Sequence, residues 1–477
     1  MKRRKNLALM VVFLAFLIGA TFLTRKISVE DITDQEESDR TLLYMMEEDA
    51  LRALTWDYNG ETLTLCKEKD GWFYEKDTDF PLSEAKAEKL VDAISTVTAE
   101  MTIEKPENLT SYGLDDPQQT IIVKAQEQTV FQLGKGKSMD GFSYLSVGDG
   151  KVYLVDKALA DAFTCGLYDL VQAEAIPSMD DLEKMIVTSE VQSYEIDHMT
   201  DSGITYTDSY EWFLKDGDGY LTLDNSLASG FANKIRNLIW QECVDYKADE
   251  QALASYGLDQ PTVTAEMHYR QSTQVETSLT ADDGMPVYET VEEEKVFCIE
   301  IGNYTGNACY AHIAGSSMVY LVNASLSDEL MYMDYQNLRP DEVICLPLSD
   351  LTDVEVIVDG QTKSFHKVSR TVSDEENETT METVYLFEGE KAEIENLLYM
   401  LNGLTATGFA DKTEPKRTAE LAFLFTQNQN AHSNFELVFY PYDSTSCLVT
   451  IDGESTVFVS RYDVEKIKEY LEENGYC

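Results

Sequence analysis

The sequence predicts an α+β fold: a tandem repeat of mainly antiparallel sheet units, each with one or two packed helices, preceded by one transmembrane helix. Three observations predict it. The line Leu109-Thr-Ser-Tyr-Gly-Leu-Asp-Asp-Pro117 returns as Leu253-Ala-Ser-Tyr-Gly-Leu-Asp-Gln-Pro261, displaced by 144 residues. Short β-branched and aromatic runs follow both copies in the same order. A single apolar run, Leu7–Leu23, stands behind a basic N-terminus. An echo of this kind means an array of one unit rather than one large domain.

From the N-terminus, residues 1–6 read as a cytoplasmic tail, 7–24 as a transmembrane anchor and 25–42 as an acidic stalk. Leu7–Leu23 is 17 residues long, at the short end of a membrane span. Lys2, Arg3, Arg4 and Lys5 precede it, so the positive-inside rule keeps the N-terminus in the cytoplasm and the bulk of the chain extracytoplasmic. Arg25 and Lys26 oppose that orientation only weakly. The alternative is a cleaved signal peptide. Against it, the run exceeds the usual apolar core of such peptides and lacks a small-x-small cleavage site. The first cysteine is Cys66, so no lipoprotein cysteine follows the run.

Repeat unit 1 is expected over 43–175. A strand ending at Trp72-Phe73 leads to a helix from Ser83, a candidate N-cap, to Val97, with Ala87, Leu90, Val91 and Ile94 at helical spacing. After Pro117 come Thr120–Lys124, Val130–Gly134, Phe142–Val147 and Lys151–Val155 as a strand meander, with Asp149-Gly150 as a type I′ turn signal. Repeat unit 2, over 177–348, follows the same plan. Trp212-Phe213 ends a strand, a helix over Ser226–Trp240 presents Phe231, Ile235, Leu238 and Ile239, and strands follow Pro261. Ala158–Leu170 and Ser325–Leu338 are apolar and helical in character. The second unit alone carries an acidic, Thr-rich insert around Gln271–Lys295, read as an exposed loop that would form a mobile hairpin rather than a domain.

Repeat unit 3, over 349–477, is degenerate. Its helix would run Glu388–Leu404, its strands Leu421–Thr426, Phe435–Tyr440, Cys447–Ile451 and Thr456–Ser460, and its closing helix Asp463–Glu473. Glu414-Pro415 stands where Asp116-Pro117 stands, but Tyr-Gly-Leu-Asp is gone. Terminal repeats depart from the consensus because one side faces solvent. The short linkers predict that the units dock into an elongated rod.

The chain has 37 basic and 87 acidic residues. Its first 26 residues hold six basic and no acidic ones, leaving 31 basic against 87 acidic, a balance of −56. Such a field repels polyanions, which excludes nucleic acid as a partner. The eight cysteines contain no Cys-x-x-Cys and do not recur at matching repeat positions. Cys298 and Cys309 stand on neighbouring strands, but buried free thiols are expected. None of the five histidines is at metal-ligand spacing to another, so neither metal nor cofactor is expected. Gly134-Lys-Gly-Lys137 is read as a turn, because its counterpart Gly302–Gly306 has no lysine. Asp216-Gly-Asp-Gly219 lacks the later glycine and glutamate of a calcium loop and is read as a hairpin tip. Adjacent carboxylates arise by composition, so no hydrolytic pair can be picked by spacing. No catalytic residue is assigned, and the chain is expected not to be an enzyme.

The repeated motif has a structural reading, with a ligand pocket as its alternative. Gly113 and Gly257 supply positive φ; Asp115 and Asp259 form Asx-type turns; Pro117 and Pro261 fix φ before the next strand. Tyr112 and Leu114, and likewise Tyr256 and Leu258, would pack their unit's core.

A basic N-terminus, one apolar span, Tyr-Gly-Leu-Asp-x-Pro, a Leu/Ile-Gly strand and a Val-Tyr-Leu-Val strand together resemble the bacterial domain-of-unknown-function family 4340. The two clear copies span Thr55–Leu170 and Val191–Leu338. That resemblance implies a membrane-anchored extracytoplasmic protein of the kind often encoded beside gliding-motility-type ABC transporters, and it brings no catalytic residues. The expected function is an accessory or interaction subunit of an ABC-type transport system, with the permease or related envelope proteins as partners. A structural spacer or envelope-assembly scaffold is the alternative, and a cell-wall or polysaccharide hydrolase ranks below both. Two surfaces are candidates for partner binding: the acidic insert and the faces between docked units.

Overall fold

The computed structural model describes residues 40–476 except 48–49, 70, 136–140, 281–285, 374–378, 411–412 and 429–431. The expected membrane helix over 7–24 and most of the stalk lie outside the described residues. Among those described, no helix is long and apolar enough to cross a membrane. They divide into two compact units: one reaches Glu174 and includes Glu242–Tyr246, and the other holds Ala175–Gln241 and the residues from Lys247 on.

The first sheet contains β1 (Thr41–Met45), β2 (Ala53–Tyr58), β3 (Glu61–Glu68), β4 (Gly71–Tyr74), β5 (Thr96–Ile103), β6 (Gln119–Lys124), β7 (Gln128–Leu133), β8 (Phe142–Ser146) and β9 (Val152–Asp156). Next come β10 (Asp181–Ser189), β11 (Ser193–His198), β12 (Trp212–Asp216) and β13 (Gly219–Thr222). β14 (Glu242–Asp245) is counted with the first compact unit. β15 (Val263–Thr280), β16 (Pro286–Thr305), β17 (Ala308–Ile313) and β18 (Val319–Asn323) complete the second repeat. The third sheet contains β19 (Leu351–Val358), β20 (Gln361–Ser373), β21 (Thr379–Phe387), β22 (Glu390–Ala392), β23 (Gly408–Phe409), β24 (Leu421–Gln427), β25 (Asn434–Pro441), β26 (Ser446–Ile451) and β27 (Glu454–Ser460). The helices are α1 (Glu84–Ser95), α2 (Lys157–Ala162), α3 (Asn225–Arg236), α4 (Glu250–Tyr256), α5 (Ala324–Met331), α6 (Glu395–Asn402) and α7 (Arg461–Glu473).

One core topology occurs three times, the first sheet lacking a counterpart of β13 and β22 and adding β1 at its other edge. The orders are β4-β3-β2-β6-β7-β8-β9-β5-β1, then β13-β12-β11-β10-β15-β16-β17-β18 within the second unit, then β22-β21-β20-β19-β24-β25-β26-β27-β23. In each, a first meander lies antiparallel beside a second one through their leading strands: β2 on β6, β10 on β15, β19 on β24. A helix (α1, α3 or α6) follows the first meander and another (α2, α5 or α7) follows the second. The third repeat keeps this plan after losing Tyr-Gly-Leu-Asp. Burial alternation along the strands, rather than the motif, specifies it.

Helix faces follow the apolar spacing. α1 buries the four residues expected of it, Ala87, Leu90, Val91 and Ile94, although the Ser83 hydroxyl makes no capping hydrogen bond. α3 ends at Arg236, so Leu238 and Ile239 are not on its buried face. Ala228 and Ala232 join Phe231 and Ile235 there, and Ile239 is 79% exposed. α6 starts at Glu395 rather than Glu388, because Glu388 and Gly389 both take positive φ in the β21–β22 turn. The two segments read as helical, Ala158–Leu170 and Ser325–Leu338, each break into a short α-helix and a 3₁₀ turn, the latter over Tyr168–Leu170 and Tyr335–Asn337.

Two turn expectations are corrected. Gly148 and Gly150 have positive φ but Asp149 does not, so the β8–β9 connection is not type I′; Asp452-Gly453, with φ of 50° and 84°, is. The acidic insert forms the expected hairpin, but a laddered one rather than an open loop. It extends β15 and β16 as a paired ribbon, with register running from Gln271↔Glu293 to Glu276↔Tyr288. Asp216–Gly219 is the tip of the β12–β13 hairpin, as expected.

In the second repeat, the α3 face and Leu326, Leu330 and Met331 pack with Met185, Val187, Ile196 and Ile299 into one core. In the third, Leu397, Leu398 and Leu401 of α6 and Val464, Ile467 and Leu471 of α7 cover Phe423, Phe425, Phe435 and Phe439.

Candidate interaction site

The motif residues occupy matching places in the first two repeats. Tyr112 ends a 3₁₀ turn and Tyr256 ends α4; Gly113 and Gly257 follow in the left-handed region at φ 65° and 74°. Leu114 and Leu258 are buried, while Tyr112 and Tyr256 are half-buried against Tyr144 and Tyr310 at 5.0 and 4.7 Å between ring centroids. Pro117 and Pro261 are half-buried ahead of β6 and β15. The Asx-type turn is placed differently than expected. Asp115 and Asp259 are exposed, and the capping acceptors stand upstream: Asn108 Oδ1 takes the Ser111 N–H at 2.8 Å, and Asp249 Oδ1 takes the Ala252 N–H at 2.8 Å. Both acceptors satisfy N–H groups left open at a helix start.

What the motif docks against was not legible from the motif alone. A Cβ on Gly134 would lie 2.1 Å from the Tyr112 carbonyl oxygen, and one on Gly302 would lie 2.3 Å from that of Tyr256. The glycine ending each Leu/Ile-Gly strand is therefore the seat of the Tyr-Gly-Leu turn. Among the described part of Gly134–Lys137, Lys135 pairs with Asp116 at 2.5 Å; Gly136 and Lys137 lie outside the described residues.

The second and third repeats meet within one compact unit, and their junction forms a cleft. The connection from β11 to β12, residues 199–211, reaches the third repeat. Tyr206 stacks on Phe435 at 4.6 Å, and its hydroxyl accepts the Cys345 N–H at 3.1 Å. Gln427 donates to the Tyr206 carbonyl at 2.8 Å, and His432 Nε2 donates to the Gly203 carbonyl at 3.1 Å. Arg339 reaches the other way: its guanidinium lies 3.8 Å from the Phe409 ring centroid and donates to the Thr456 carbonyl at 3.2 Å. Between these contacts lies a cleft of about 440 Å³ with Tyr210, Tyr335 and Arg339 on its walls and Glu342, Asp452 and Glu454 beside them. Burial pushes the Tyr206 and Tyr210 phenols above their ordinary value, so both stay neutral donors and acceptors.

Ile204 and Tyr220 are shared with a second cleft of about 700 Å³ on the β10–β11 surface. There Lys184 donates to Glu195 at 2.7 Å and lies 3.6 Å from Asp197, and Lys215 reaches Glu195 at 3.1 Å. The Lys184 hydrogen bond, seconded by Lys215, holds the Glu195 carboxyl below its ordinary range. The network is not saturated: Asp197 Oδ1 is buried and has no hydrogen-bond partner. Single residues from unrelated positions build the junction, so no repeated motif announces it. The available signal was the length of 199–211.

Among the described residues the cysteines are free, but only Cys243, Cys309 and Cys447 are buried as expected, Cys66, Cys165, Cys298 and Cys345 being half-buried; no group of three or more described His, Cys, Asp or Glu side chains is placed to hold a metal ion. Burial pushes the Cys298 and Cys447 thiols and the Tyr385 phenol up to about 12, and the Cys165, Cys243 and Cys309 thiols to about 11. Raised values in the folded state mean full stability below the unfolded thiol value of 9.0 and loss as pH climbs through the folded values. Urea midpoints are therefore expected to stay level between pH 7 and 9 and to fall between 9 and 12. A level midpoint up to pH 12 would contradict the burial of these groups.

Two stretches, residues 72–219 and 212–421, match the family model described as a domain of unknown function (DUF4340). The chain belongs to the DUF4340 family. Each matched DUF4340 stretch opens at a Trp-Phe pair late in a first meander: Trp72 on β4, its last strand, and Trp212 on β12, the third of its four. The DUF4340 unit thus runs from β4 to the equivalent β12 and beyond, permuted relative to the sheets. No curated protein and no solved structure matches the chain.

Proposed function

We propose that this DUF4340 protein is a non-catalytic, membrane-anchored extracytoplasmic subunit that serves an ABC-type transport system as an accessory or interaction component. The observation that carries the reading is the order of parts: a basic tail and an apolar run, then tandem repeats, of which the second and third meet at a cleft and the second projects a ribbon. Repeat arrays of this kind present extended surfaces to partners. The acidic balance supports a protein or cationic partner rather than nucleic acid.

Tagged full-length chain, solubilised from membranes and purified, is expected to bring an ABC permease and its ATPase with it. An anchored chain that copurifies with neither would favour the spacer or scaffold. Protease treatment of intact protoplasts is expected to release a fragment nearly the size of the chain. Full protection would reverse the orientation.

A further inference from the structure

We infer that the outer edge of β15 at Gln271–Glu276 is a strand-addition site for an extended, positively charged segment of a partner protein. This rests on the interaction-subunit reading and names where and how a partner is held. β10 pairs with β15 only as far as Arg270, and β17 pairs with β16 only from Ile299 back toward the body of the sheet. Past those points β15 and β16 pair with each other, so among the described residues Gln271–Glu276 carry a ladder on one side only. Six residues of strand offer roughly 20 Å of edge, with outward N–H and C=O groups at every second residue.

The two edges of the ribbon differ in chemistry. The β16 edge carries Glu289, Glu292, Glu293 and Glu294, charges of the kind that keep edges from pairing. The β15 edge reads Gln-Ser-Thr-Gln-Val-Glu, with a single charge and none before Glu276. Val275 is 46% exposed, and across the ribbon Tyr288 and Val291 are 55% and 39% exposed. A two-stranded ribbon is marginal in water alone, and a third strand is what stabilises one.

Charge selects the occupant. An added strand would lie one strand away from the β16 glutamates, inside their field, so a lysine- or arginine-bearing segment is attracted. A second copy would bring two such ribbons together on chains of net charge −50.

The test uses the full chain in detergent micelles and two synthetic nonapeptides, one alternating Lys with Val and one alternating Glu with Val. Hydrogen exchange at Gln271–Glu276 is expected to slow at least tenfold with the lysine peptide, with affinity falling as salt rises, and to stay unchanged with the glutamate peptide. Thr273→Lys with Val275→Lys, both at exposed positions, places guarding charges on this edge. It is expected to weaken the lysine peptide at least tenfold while circular dichroism stays the same. No slowing, equal binding of both peptides, or undiminished binding by the double variant overturns the proposal. So does a dimer by light scattering that the double variant dissolves, since the occupant is then a second copy. Copurification of permease and ATPase is read separately: if it persists in a variant whose edge binds nothing, the edge assignment fails and the subunit reading stands.

Discussion

Gly302→Ala is expected to destabilise the second repeat by about 3 kcal/mol, the upper end of what an overpacked interior site costs. The added Cβ would lie 2.3 Å from the Tyr256 carbonyl oxygen and 2.9 Å from the Gly257 carbonyl, both backbone atoms that no rotamer change can move aside. The turn would have to lift off β16, taking Leu258 out of the core and opening the Tyr256–Tyr310 contact. Gly306→Ala is the internal control. Its φ of +62° carries only the backbone cost of a left-handed residue, roughly 1 kcal/mol, and nothing lies within 4 Å of its Cβ. Urea midpoints of the two variants decide the matter. Equal losses would mean that close approach adds nothing and that the motif is not seated on this glycine. Gly134→Ala should repeat the result in the first repeat, where the clash with the Tyr112 carbonyl is 2.1 Å.

That pairing shows how much of the fold was readable. Tyr-Gly-Leu-Asp-x-Pro and the Leu/Ile-Gly strand both recur in order, and their joint recurrence already pointed to one repeated unit. Their contact is long-range, and period alone does not say which repeated element touches which. The buried face of α1 was legible because its four apolar positions recur at helical spacing, but its end was not: the helix stops at Ser95 rather than Val97, and β5 begins at Thr96. α3 was read too long because Leu238 and Ile239 continue the spacing after Asn237 has ended the helix. The insert was legible as a hairpin but not as continued strand, because its polar residues bury little, yet the backbone ladder continues without burial for as long as two strands stay in register. Of the candidate site, only the idea of a face between units came from the sequence. Tyr206, Arg339, Gln427 and His432 belong to no motif, and nothing local distinguishes them from ordinary surface residues.

Tyr206 is where that junction is expected to fail first. Tyr206→Ala removes a ring stacked at 4.6 Å on Phe435 and leaves the Cys345 N–H without its acceptor. Tyr206 is half-buried, so its truncation is expected to cost roughly 2–3 kcal/mol, below the ~3–5 kcal/mol of a fully buried aromatic. The lost contact ties residues 199–211 of the second repeat to the core of the third, which contains Phe435, so its main effect is on cooperativity between the two. In a repeat array the interface term couples neighbouring units, and weakening it separates their transitions. The wild-type second and third repeats are expected to unfold together, and the variant to show the third repeat, followed through hydrogen exchange of β24 and β25, opening at lower urea than β10 and β11. Tyr206→Phe keeps the stack and loses only the hydroxyl, so its cost should be nearer 1–2 kcal/mol with the transitions still joined. Arg339→Gln tests the same junction from the other side, since it removes the charge held 3.8 Å from Phe409 without emptying either core. If Tyr206→Ala lowers the whole transition as one step, residues 199–211 are part of a single core, and the cleft beside them is a crease in one domain rather than a face between two.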